Sequence, residues 1–126
     1  MQITCYVEGD FFREHDDGFH PYYADHAKAM CGAHTHSNRV ATLFIYLNDV
    51  ERGGATVFTK LDPVVKIQPR QGMAVVFFPA KLPGYEADPG GLAEGVMHES
   101  EVAVDEKWIL QQFLWSGAYT GPGAEH

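Results

Sequence analysis

The sequence predicts an all-β domain, a sandwich or barrel with little helix. Three observations carry this. The apolar residues fall in short runs rich in β-branched and aromatic types. Gly, Pro and Asn turns cut those runs at short intervals. No heptad and no internal repeat is present. At 126 residues the chain is one domain long, and a chain of this size buries roughly two-thirds of its unfolded surface.

The strands follow in order. Ile3 to Val7 and Phe11 to Asp17 open the chain. Val40 to Leu47 is the clearest strand and ends at Asn48-Asp49. Gly53-Gly54 punctuates before Ala55 to Thr59, and Val64 to Gln68 alternates before the Pro69-Arg70-Gln71-Gly72 turn. Met73 to Phe78 is a buried-type run stopped by Pro79. Glu101 to Val104 leads through Asp105-Glu106 into Lys107 to Trp115, the two forming a final hairpin. Helix is confined to a turn around Tyr23 to Met30. Two long stretches, Gly18 to Asn38 and Ala80 to Gly95, carry no strand pattern, and loops longer than about 12–15 residues in compact domains are usually functional lids or disordered segments. Residues 1–117 form the core, and 118–126 read as a flexible Gly/Pro-rich tail.

Composition narrows the function. Apolar residues at 45% and charged residues at 21% describe a folded domain. A net charge of −8 argues against nucleic-acid binding, which needs a Lys/Arg surplus. No apolar stretch reaches the ~20 residues of a membrane-spanning helix, and the first residues show no signal-peptide pattern, so the compartment is open. Cys5 and Cys31 allow at most one disulfide and read as free thiols.

Candidate chemistry lies in two places. His15-Asp16-Asp17 is the only His-x-Asp of the chain. On a strand, residues two apart share a face, so His15 and Asp17 point together. With a third ligand they make the two-His-one-carboxylate set of non-haem Fe(II) oxygenases, and His98 is the candidate third. The histidines at 20, 26, 34 and 36 cluster in the long loop without the fixed spacing of a zinc site. Lys107 opens the last strand, where alternation puts Lys107, Ile109, Gln111, Phe113 and Trp115 on one, inward face. A buried lysine is costly without a partner, and a carboxylated small molecule would supply one. The plainer alternatives are a surface turn at His15 and a strand-end lysine that reaches water.

The segments Cys5 to Asp17, Arg39 to Val50, Gly53 to Phe58, Pro69 to Phe77 and His98 to Trp108 together resemble, in order, the catalytic core of the prolyl 4-hydroxylase family of Fe(II)/2-oxoglutarate dioxygenases, in its collagen- and plant-type branch. The resemblance implies a double-stranded β-helix, a jelly-roll or cupin-like barrel. It implies iron ligands at His15, Asp17 and His98 and a cosubstrate-carboxylate residue at Lys107. It further implies Tyr6, Thr42 and Tyr46 beside the cosubstrate, and Arg39 and Phe113 against a peptide, protein or small-molecule substrate. Fe(II), 2-oxoglutarate and O2 would be required, with ascorbate as reductant.

Three features depart from that family. The spacing from His98 to Lys107 is one residue shorter, Phe12 stands where tyrosine is frequent, and the N-terminal helices that buttress the large sheet are absent. The outward residues Ala41, Leu43, Ile45 and Leu47 therefore call for a cover, either a preceding segment or a partner. Two readings from other classes remain open: a cupin-like metal hydrolase or isomerase, and a non-catalytic jelly-roll binding module.

Overall fold

The computed structural model describes residues 1–18, 39–79 and 94–115. Eight strands run in chain order: β1 (Gln2–Tyr6), β2 (Phe12–His15), β3 (Arg39–Tyr46), β4 (Thr56–Phe58), β5 (Val65–Ile67), β6 (Ala74–Phe77), β7 (His98–Ser100) and β8 (Lys107–Trp115). They form two four-stranded antiparallel sheets, β1-β8-β3-β6 and β2-β7-β4-β5. The one helical element among the described residues is a 3-10 turn, Glu94–Val96. The chain passes from one sheet to the other at every connection except the β4–β5 hairpin. This alternation is the double-stranded β-helix expected from the sequence.

Strand β3 shows why these residues pair as they do. Thr42, Phe44 and Tyr46 are buried inward, while Leu43 and Ile45 lie half-buried on the outer face. Its neighbour β8 alternates likewise, with Lys107 and Ile109 inside and Trp108 outside. The core packs Phe44, Tyr46 and Ile109 of the first sheet and Phe77 at its edge against Phe58 of the second, with Val96 from the 3-10 turn. Phe58 and Phe77 meet edge to face, with ring centroids 5.4 Å apart. Each such side chain contributes roughly 1.5–3 kcal/mol on burial.

The structure corrects the end of the predicted strand order. Glu101 to Val104 is not a strand, because Val102 and Val104 face solvent and Ala103 makes only an isolated bridge to Gly53. The strand lies upstream, at His98–Ser100, and it pairs with β2 and β4. Strand β8 pairs with β1 and β3, so no final hairpin forms. Residues 101–106 carry the chain across from one sheet to the other.

Gly53 is required where that crossing passes. Its φ of +67° suits glycine, and a Cβ there would meet the Val102 carbonyl oxygen at 2.3 Å. The outward face of the first sheet extends the apolar surface expected from β3. Ala41 is covered and Leu47 is 37% exposed, but Ile3, Val76, Trp108 and Leu114 share that face and are exposed as well. Cys5 lies on it as a free thiol. The turn around Tyr23 to Met30, Cys31, the loop histidines, most of both long loops and the tail lie outside the described residues.

Candidate active site

The barrel encloses a cavity of about 290 Å³ between the two sheets. The second sheet supplies one cluster. Register places His15 of β2 opposite His98 of β7, so the imidazoles stand side by side with centroids 4.3 Å apart. Asp17 lies two residues past the end of β2, in a bend rather than on the strand, yet its Oδ1 reaches His15 Nε2 at 3.2 Å and His98 Nε2 at 3.9 Å. One ligand atom from each of the three residues lies within 4.8 Å of the others.

The local backbone sets the nitrogens. His15 Nδ1 lies 2.7 Å from the Arg13 carbonyl, and His98 Nδ1 lies 2.8 Å from that of Val96. A carbonyl only accepts, so each Nδ1 carries the proton and each Nε2 is the nitrogen turned to the centre. Burial would raise the Asp17 carboxyl, but the His15 hydrogen bond, the His98 charge and the nearby Thr42 hydroxyl outweigh it and hold the group below the usual range. Thr42 acts at a distance here, since its hydroxyl makes no hydrogen bond of ordinary geometry. Burial pushes His98 down, favouring the neutral imidazole that a metal needs. Burial also pulls His15 down, but the Asp17 carboxylate and Arg13 carbonyl reverse that, and its net shift is upward. Asp17 Oδ2 is buried without a hydrogen-bond partner. Two imidazole nitrogens and one carboxylate, one of whose oxygens has no hydrogen-bond partner, fit Fe(II).

The first sheet supplies the other cluster. Lys107 is 2% exposed and stays on the inward face of β8 despite the short connector. Its Nζ donates to the Gly54 carbonyl at 2.8 Å and to Ser100 Oγ at 2.5 Å, and it stands 4.4 Å from the centroid of the Tyr6 ring. Among the described residues no carboxylate pairs with it. Burial pulls its pKa down to about 8. Burial raises the Tyr6 phenol too, with the Asp17 and Asp10 charges adding to it.

Tyr6, Arg39, Phe113 and Lys107 line the cavity together with the three iron-type residues. Thr42 and Tyr46 have the inward parity expected of them but do not form the wall. Thr56 of β4 stands there instead, accepting a 2.8 Å hydrogen bond from the Tyr46 hydroxyl behind it. Burial lifts that phenol to about 12, so it stays a donor. Phe12, half exposed, lines the cavity and packs on the His15 ring at 4.2 Å. Sequence reasoning missed Ser100, Thr56 and the Gly54 carbonyl. Ser100 shares strand parity with His98 and would have followed from reading 98–100 as a strand, whereas a backbone carbonyl leaves no side-chain signal.

A double-stranded β-helix with two imidazoles and a carboxylate on one wall of its cavity, and a buried lysine on the other, is the architecture of a non-haem iron oxygenase. Residues 1–115 match the 2OG-Fe(II) oxygenase superfamily. The chain is 35% identical over 131 residues to probable prolyl 4-hydroxylase 7 of Arabidopsis thaliana, covering 90% of this chain and 37% of that one. It is 30% identical over 125 residues to prolyl 4-hydroxylase 1 of the same plant, covering 90% and 40%. The fold superposes on the viral collagen prolyl hydroxylase of Paramecium Bursaria Chlorella virus-1, in its 2OG complex, with a TM-score of 0.66 and 26% identity over 88% of this chain and 55% of that one. A prolyl-4-hydroxylase from Pseudomonas putida shares the fold, with a TM-score of 0.59 at 21% identity, over 90% of this chain and 50% of that one. The chain thus belongs to the 2OG-Fe(II) oxygenase superfamily, and it spans about 40% of the length of these plant relatives.

Proposed function

We propose that this chain is the catalytic core of an Fe(II)- and 2-oxoglutarate-dependent dioxygenase that hydroxylates an unactivated C–H, in a prolyl residue of a peptide or protein. One observation carries the reading. A buried ammonium, Lys107, which among the described residues has no carboxylate partner, shares a single cavity with the His15/Asp17/His98 cluster. A cupin-like hydrolase needs the metal cluster alone, and a binding module needs neither feature. A dicarboxylic keto acid uses both, with the chelating end at the metal and the distal carboxylate at the lysine.

His15, Asp17 and His98 would hold the iron, the Nε2 lone pairs of the two histidines aimed by the backbone carbonyls of Arg13 and Val96 that bind their Nδ1 protons. Bound there, Fe(II) with 2-oxoglutarate and O2 supplies the oxidising chemistry, in which the cosubstrate loses carbon dioxide to give succinate and one oxygen atom goes to the substrate C–H. The chain does the positioning. Lys107 binds the distal carboxylate, and Gly54 and Ser100 aim its ammonium. Thr56, braced by Tyr46, offers a hydroxyl on the same wall, and Tyr6 packs against the ammonium. Phe44 and Ile109 add apolar surface to a lining that is otherwise largely polar. Arg39, Phe113 and Phe12 also line the cavity, and the substrate would lie against them.

The test supplies Fe(II), 2-oxoglutarate, ascorbate and air with proline-rich peptides. Succinate should appear in step with a peptide mass gain of one oxygen atom. Metal uptake without any 2-oxoglutarate-dependent succinate would overturn the reading in favour of the metal hydrolase. A chain that binds no metal would favour the binding module.

A further inference from the structure

Of the three metal-type ligands, Asp17 is the one outside the sheet ladder. His15 and His98 are register partners on adjacent strands, so the β2–β7 pairing fixes both. Asp17 follows the end of β2 in a bend. The described side-chain contact to its backbone comes from the opposite sheet, where Arg39 Nη1 donates to the Asp17 carbonyl oxygen at 3.3 Å. The same guanidinium lies over the Phe113 ring at 3.7 Å and over Trp115 at 5.2 Å. Arg39 begins β3, and its register partner on β8 is Trp115.

We propose that Arg39 is a positioning residue for the metal carboxylate: a strut across the barrel that holds the Asp17 backbone and is itself held over the Phe113 ring of β8. The inference rests on the iron-site reading above. It gives Arg39 a task beyond lining the cavity against a substrate.

The physical case has two parts. A 3.3 Å hydrogen bond from a flexible arginine would by itself position little, because the side chain carries about 2 kcal/mol of rotamer entropy. Stacking on an aromatic ring removes much of that freedom beforehand, and a planar guanidinium can stack and donate from its edge together. The site also needs the help. The chain leaves the second sheet at Asp17 and enters the first at Arg39, so the contact joins the two points between which residues 19–38 run. Without it, no described side chain ties the Asp17 backbone. Partners that orient metal ligands typically change metal affinity by about 10–100-fold when removed.

Co(II) titration of the chain, followed by its visible d–d absorption, tests this independently of turnover. Arg39→Ala should weaken Co(II) binding about 10–100-fold and alter the spectrum. In Co(II)-saturated protein, 2-oxoglutarate affinity should stay within about twofold, since Lys107 and its partners are untouched. Arg39→Lys, which donates but stacks poorly, should fall between the two. Phe113→Leu keeps the donor and removes the platform, and should also weaken Co(II). An Arg39→Ala protein with wild-type Co(II) affinity and spectrum would overturn the proposal and leave Arg39 as a substrate contact only. Should Arg39→Ala not fold, Phe113→Leu decides, and unchanged Co(II) affinity there overturns it equally. A wild-type chain that takes up no Co(II) removes the iron-site reading itself, and this inference with it.

Discussion

Lys107→Met separates what the lysine does for binding from what it costs the free protein. The side chain is 2% exposed, and burial draws its pKa from 10.5 to about 8. At 1.36 kcal/mol per unit, that depression corresponds to about 3 kcal/mol spent on keeping the ammonium charged inside the free protein near neutral pH. Methionine removes the charge at similar volume and leaves the Gly54 carbonyl without its donor, a loss of about 1 kcal/mol. The free protein should therefore gain about 2 kcal/mol at pH 7. The sign follows from the direction of the shift. Below about 8 the lysine is charged in both folded and unfolded chains, so wild type bears the full penalty. Between about 8 and 10.5 the folded lysine is neutral while the unfolded one still holds its proton, so wild-type stability rises with pH and the advantage of methionine shrinks. Binding goes the other way. Breaking one side of a buried charge pair costs about 3–5 kcal/mol, so 2-oxoglutarate affinity should drop by a hundredfold or more. Wild-type affinity should itself fall as pH climbs through about 8. Urea melts at pH 7 and 9.5, with 2-oxoglutarate titrations of metal-loaded protein across that range, measure both. Unchanged 2-oxoglutarate affinity in Lys107→Met would refute the cosubstrate assignment. A less stable variant at pH 7 would refute the account of the buried charge.

Other expectations follow from single contacts. Asp17→Ala should abolish measurable Fe(II) binding, since it removes the one carboxylate of the cluster, and an anaerobic metal titration reads this directly. Gly53→Ala places a Cβ 2.3 Å from the Val102 carbonyl at positive φ, and should lower stability by about 2–4 kcal/mol in a denaturant melt; a change under 1 kcal/mol would show that the 101–106 connector gives way freely. Tyr46→Phe should lose about 1 kcal/mol, because Thr56 loses its buried donor. The chain alone should self-associate through the outer face of its first sheet. Leu114→Lys should shift sedimentation toward monomer, and a monodisperse wild type at high concentration would count against that surface.

The sequence made the long strands legible for a physical reason. Strands β3 and β8 are long and dense in β-branched and aromatic residues, and their register is regular from Ala41 to Tyr46 against Leu114 to Ile109, so parity is clear there. Strand β7 escaped because His-Glu-Ser has low β-propensity and only three residues, while the valines of 101–104 imitate a strand. The His15-x-Asp17 pairing was legible although half its stated basis is absent. The two residues do point together, but Asp17 is turned in by a bend rather than by pleat alternation. Thr42 and Tyr46 show the limit of parity. It places a side chain inside, but which inward residues reach the cavity depends on the opposing strand, and Thr56 of the other sheet stands in front of Tyr46.

Those two limits share a cause in how the barrel divides its work. His15 and His98 belong to the second sheet, with Asp17 just past its end, and Lys107 belongs to the first; the chain crosses between the sheets at nearly every connection. The distance between the two functions is thus set by residues that carry neither. Residues 101–106 bring Ser100, two residues from His98, and Lys107, on the opposite sheet, close enough to hydrogen-bond. The Gly53–Ala103 bridge holds that crossing down, and Gly54, one residue on, gives Lys107 its carbonyl. Lengthening this connector would leave every proposed ligand in place and still move the ammonium from Ser100 and Gly54. A one-residue insertion after Asp105 should therefore spare Fe(II) affinity while weakening 2-oxoglutarate at least tenfold, as two positioning hydrogen bonds to a charged group are lost. Paired metal and 2-oxoglutarate titrations decide this, and equal weakening of both would show that the connector acts on the whole barrel instead.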